Sequence, residues 1–197
     1  MAELPTEHFE HAEHAEHASH AAKSNPFVGT VAMTIAILAV ASATVGSLET
    51  LESSNAIAAK NEAVLFQNKA TDSWNFYQAK SLKKNMYEIA AAGDSPNKAD
   101  FEAKAKRYDE ESADIQKEAK KQEHESANKL KEGDLHEHRH HILTAAVTFL
   151  HIGIALATIA IVTGGKRWPW FASLVLAVGG LVATIWAYLP MAAAAGH

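Results

Sequence analysis

Residues 27–48 read FVGTVAMTIAILAVASATVGSL and carry no charged side chain. Two further runs, residues 142–165 and 168–190, are also free of Asp, Glu, Lys and Arg. A bilayer core about 30 Å thick takes about 20 apolar residues as helix, so each run is long enough to cross. In lipid every backbone N–H and C=O must be satisfied within its own segment, so the runs are expected to be helices. The mean hydropathy of −0.13 conceals this segregation. Nearly all the charge falls in residues 49–140 and in the first twenty-odd positions. The expected fold class is an all-α membrane protein with three transmembrane helices. A long antiparallel, coiled-coil-like helical hairpin separates the first from the second.

Residues 1–26 form a His- and Glu-rich tail with five acidic residues and a single Lys. A secretory signal needs a basic start, a shorter apolar core and a small-residue cleavage site, so the first span (TM1, 27–48) reads as a retained anchor. Pro26 is a plausible helix-start signal before it. There are no cysteines, which excludes disulfides, thiolate metal sites and cysteine nucleophiles.

Between TM1 and TM2 (142–165), residues 49–140 divide into two arms of about 44 residues around Gly93-Asp94-Ser95-Pro96. Gly93 suits the end of one helix, Ser95 the N-cap of the next and Pro96 its first turn. At 1.5 Å per residue, each arm reaches roughly 65 Å if fully helical. Gly133-Asp134 is a possible break in the second arm. Phe101, Ala105, Tyr108, Ser112, Ile115, Ala119, Gln122 and Ser126 recur there at alternating four- and three-residue steps. In the first arm Ala56, Ala59, Ala63, Phe66, Ala70, Ser73 and Tyr77 do the same, and Ala79, Leu82, Met86 and Ile89 continue in a shifted phase. Such small side chains bury little area, and at about 25 cal/mol per Å² an Ala-rich hairpin is marginal alone. Association with copies of itself or with another membrane protein is therefore expected. Trp74, Phe76 and Tyr77 cannot all face one seam and are the candidate partner-contact surface.

TM3 (168–190), followed by a short tail at 191–197, carries Gly179, Ala183 and Ala187 at four-residue spacing. TM1 carries Ser42 and Gly46. Small residues one turn apart let membrane helices approach closely. His151, well inside TM2, reads as a packing residue that hydrogen-bonds across the bundle, with Thr34 and Thr184 as candidate partners, rather than as part of a proton path. The basic loop Gly164-Gly165-Lys166-Arg167, and Lys23 against Glu49 and Glu52, place the N-terminus and the TM2–TM3 loop in the cytoplasm. Lys129, Lys131 and Arg139 argue the other way. Trp168 and Trp170 at one end of TM3, and Trp186 and Tyr188 at the other, fit interfacial belts.

Two histidine clusters carry the candidate chemistry. His8, His11, His14, His17 and His20 recur every three residues in the tail. Imidazole binds Zn or Ni, but a period of three drifts around a helix, so a loose metal site competes with a solvated, pH-sensitive tail. His136, Glu137 and His140 spell H-E-x-x-H at the mouth of TM2. In zinc proteases that pattern supplies two ligands and a base. TM2 and TM3 contain no acidic residue to act as a third ligand, so contact with lipid headgroups is the preferred reading.

The stretch Val45-Gly46-Ser47-Leu48-Glu49-Thr50, and KNEAVLFQNKATDSWNFYQAKSLKK beginning at Lys60, resemble the family named domain of unknown function 4337. The tail, the spans and the basic loop are also similar. The resemblance implies a multi-pass protein of the bacterial inner membrane and supplies no catalytic or ligand residues. A non-enzymatic, self-associating scaffold or docking protein is expected, with the bilayer and its own copies as partners, no resident cofactor and no nucleic acid. The alternatives are a metal-binding or pH-sensing protein using the His segments, and a sensor module without its own output domain.

Overall fold

The computed structural model describes residues 26–94, 96–164 and 166–194. These residues form helices and no strand: α1 (Pro26–Ala92), α2 (Lys98–Val162) and α3 (Arg167–Ala194). Each contains a stretch long and apolar enough to cross a membrane. The chain divides into two compact units, one built from the residues up to Ser54 and from His136 onward, the other from Asn55–Leu135.

In the first unit, α1 buries Val31, Ile35, Leu38, Ser42 and Val45, a four-three alternation that keeps one face inward. α2 answers with Leu143, Ala146, Leu150, Ile154, Ala157 and Ala160. α3 adds Ser173, Ala177 and Ala187. The small members let backbones approach. A Cβ added to Gly180 would lie 2.9 Å from the Ala146 carbonyl oxygen, and one on Gly153 would lie 3.2 Å from that of Ser173. The outside of this unit is apolar as well: Ile37, Val40, Ile152, Val175, Val178 and Ile185 are all exposed. Hydrophobic residues all round a helix are the pattern of a membrane span, since a water-facing surface would carry charge.

α2 ends at Val162, and the chain turns at Gly164, whose φ of +72° is a left-handed conformation that glycine adopts without a Cβ penalty. The Gly164 N–H donates to the Ile161 carbonyl at 3.2 Å and that of Thr163 to Ile159 at 3.0 Å, closing the last turn. Pro169 sits in the first turn of α3, where a missing N–H costs no helical hydrogen bond.

The second unit pairs residues 55–92 of α1 with residues 98–135 of α2 in opposite directions. Lys60 meets Asp134 at 3.7 Å, Lys129 meets Glu62 at 2.8 Å, Lys80 meets Glu111 at 2.6 Å and Lys84 meets Asp109 at 2.7 Å. Between these pairs lie Ala56, Ala59, Ala63, Ala70 and Ala91 of one helix and Ala105, Ser112, Ala119 and Ser126 of the other, all buried. The Ser126 hydroxyl donates to the Ala63 carbonyl at 2.9 Å, and the Ser73 hydroxyl to Gln122 at 2.9 Å.

Two local expectations change. The seam of α1 does not shift after Tyr77, because Lys80, Lys84, Tyr87 and Ala91 continue it at the same steps, while Ala79, Leu82, Met86 and Ile89 are exposed. The lysines serve because their stems lie along apolar surface while their ammonium groups reach carboxylates on the other helix. Nor does Gly133 break α2, which runs through it. It lies buried, where a Cβ would come 2.8 Å from Lys60 Cγ and 3.4 Å from the Ala56 carbonyl, so it serves close approach.

Candidate functional site

Two features stand out, one in each unit. In the first unit, α1 presents Glu49 and Glu52, one turn apart less a residue, just beyond the charge-free run. α2 brings His136, Arg139, His140 and Thr144 against them. The Glu52 side chain is only 6% exposed. Its carboxylate lies 2.6 Å from His136 Nδ1 and 3.5 Å from an Arg139 guanidinium nitrogen. Glu49 lies 3.2 Å from His140 Nδ1 and accepts the Thr144 hydroxyl at 2.9 Å. From α3, Tyr188 turns its hydroxyl toward Glu52, and the Arg139 guanidinium stacks 5.2 Å above the Tyr188 ring. A carboxylate this buried is costly unless paired, and Arg139, always charged, pairs it. The cluster is a clasp that ties the three helices together where their apolar stretches end.

In the second unit the burial is inverted with respect to size. The fully buried positions of the seam are alanine, serine and Gly133, whereas Ile57, Val64, Leu65, Leu82, Met86 and Ile89 stand exposed on α1. The aromatic residues divide as geometry requires. The Trp74 indole N–H donates to Glu123 at 2.8 Å and the ring meets Tyr77 edge-on at 5.5 Å, holding both against the seam. Phe76 is exposed, with the Lys80 ammonium 5.2 Å above its ring. Deeper along the seam Tyr87 stacks on Tyr108 at 5.7 Å with ring planes 7° apart.

The other residues singled out by sequence fall as follows. His8, His11, His14, His17 and His20, and the N-cap candidate Ser95, lie outside the described residues. His136 and His140 each turn Nδ1 to a glutamate of α1. Among the described residues no group of three or more His, Asp or Glu side chains is arranged to hold a metal ion. Ser42 is buried, and its Oγ has no hydrogen-bond partner among the described residues. Gly46 and Gly179 face open space, while Ala183 is half-buried and Ala187 buried. His151 is half-buried and has a partner. Thr34, one candidate partner for it, accepts the Trp170 indole N–H at 3.1 Å.

Sequence reading misses Glu52 as a site residue, because its burial depends on Arg139 and Tyr188, remote in the chain. It also misses an asparagine series on the exposed face of α1, Asn61, Asn68 and Asn75, whose seven-residue spacing is a legible signal.

The fold thus defines a class: all-helical, with three helices able to cross a membrane and a charged pair of helices between the first two apolar stretches. The family model described as Domain of unknown function (DUF4337) matches residues 27–190, and the chain belongs to that family. No curated protein and no solved structure matches.

Proposed function

We propose that this chain is a non-enzymatic integral membrane protein that associates with copies of itself, its helical hairpin serving as a scaffold or docking arm. The observation that carries this reading is the inverted burial of the second unit. The fully buried positions of its seam are nearly all Ala and Ser, while the large aliphatic side chains of α1 in this unit face outward. Burying a Leu or Ile is worth about 1.5–3 kcal/mol, so this unit leaves most of its available stabilisation unused until another surface covers α1.

The three apolar stretches are the anchors, with the N-terminus and the loop at 164–167 on the cytoplasmic side of a bacterial inner membrane. The Glu52–Arg139 clasp holds the helices where they leave the bilayer. No resident metal or cofactor is part of this reading. Chemical crosslinking of the full chain in native membranes, through its lysines, tests it. Dimers or larger species are expected; monomers at every reagent concentration, with no partner captured, would refute it.

A further inference from the structure

The exposed face of α1 has an order that size alone does not explain. Asn61, Asn68, Asn75, Leu82 and Ile89 follow one another at strict seven-residue steps, and all five are exposed. Ile57, Val64 and Thr71 fill the layers between the first of them, and beyond Asn75 the flank moves one position on, to Ala79 and Met86. This row lies about half a turn around the helix from the seam that meets α2. Residues 55–92 contain eight charged side chains, and none falls on the row. A merely solvated face would share in that charge. An apolar row at three- and four-residue steps with an amide at one recurring position is instead the pattern of a coiled-coil interface.

Resting on the self-association proposed above, we propose that the occupant of this row is the same row of a second copy, paired parallel and in register. The asparagines suit such an interface. A carboxamide carries both donor and acceptor, so each can hydrogen-bond its own counterpart across a two-fold axis. Parallel pairing sets Asn61, Asn68 and Asn75 each against itself, with Leu82 and Ile89 closing the apolar end. Antiparallel pairing centred near Ser73 would match Ile57 with Ile89 and Val64 with Leu82. It would also set Asn61 against Asn85, Asn68 against Gln78 and Asn75 against Thr71, so the amides find partners in either arrangement and do not decide between them. Connectivity decides: α1 runs unbroken from its apolar stretch into the row, so two copies anchored in one membrane start level and run the same way. From 57 to 89 at 1.5 Å per residue, the contact would be roughly 50 Å long, more than four heptads.

The chain has no cysteine, so single-cysteine variants of the full protein in native membranes give a direct test. Asn68→Cys is expected to form a disulfide-linked dimer on mild oxidation, and Glu110→Cys, on the exposed face of α2, is not. Asn61→Cys should link to itself and not to Asn85→Cys in a co-expressed copy. Asn68→Asp, a change at an exposed position that leaves the hairpin seam untouched, should lower the lysine-crosslinked dimer tenfold or more. If lysine crosslinking still gives dimers but Asn68→Cys does not link, the row is not the interface, although self-association stands. Linkage of Asn61→Cys only to Asn85→Cys overturns the parallel register. Monomers in every arm overturn both this inference and the reading beneath it.

Discussion

At the residue scale the most consequential side chain is Glu52, buried beside Arg139, His136 and Tyr188. Removing one partner of a buried ion pair leaves the other charge uncompensated, at a cost of about 3–5 kcal/mol. Arg139→Ala is therefore expected to lower resistance to unfolding in mixed micelles by that order. Glu52→Gln combined with Arg139→Met should recover most of it; equal loss in the single and the double variant would contradict the pairing. On the second unit the Lys80 hydrogen bond holds the Glu111 carboxyl below its ordinary value near 4.5. A group whose value is lowered by folding adds stability that is present above the unfolded value and lost as pH falls through the lowered one. Helix content followed by circular dichroism should thus fall from about pH 4.5 downward, and Lys80→Met should flatten that part of the curve. Neither partnership is legible in the sequence, since Glu52 and Arg139, or Lys80 and Glu111, meet only once distant segments pack.

At the element scale, much of the architecture was readable. Three charge-free runs of more than twenty residues admit few other structures. The interruption around Gly93 is equally plain, and α1 ends at Ala92 just before it. Sequence reading failed where periodicity was judged by hydrophobicity alone. After Tyr77 the apolar letters move to Leu82, Met86 and Ile89, yet the seam follows Lys80, Lys84 and Tyr87, whose long side chains pack along the partner helix. Adjacent glycines pose the same difficulty. Gly179 extends the small-residue ridge in the sequence, but Gly180 makes the close contact within the chain. A methyl group on Gly180 would press on the Ala146 carbonyl and Leu150, so Gly180→Ala should destabilise the chain by about 1–3 kcal/mol. Gly179→Ala, facing open space, should be neutral or slightly stabilising in the same micellar unfolding assay. Comparable losses at both positions would contradict this packing.

For the whole molecule, the three apolar stretches are legible in the sequence, while the face of α1 left open beside α2 is visible only in the structure. Burial showed which face of α1 is spent on α2 and which remains, and only then do Asn61, Asn68 and Asn75 read as one line. Orientation belongs to this scale too. Lys166→Cys should react with a membrane-impermeant maleimide only from the cytoplasmic side, and Glu110→Cys only from the opposite side; the reverse pattern would invert the topology. The central claim is self-association, and counting copies tests it most directly. The full chain carrying one fluorophore, extracted at low expression into nanodiscs of native membrane, should bleach in two or more steps in most particles. Single-step bleaching throughout, at a labelling efficiency that would reveal dimers, would contradict the account.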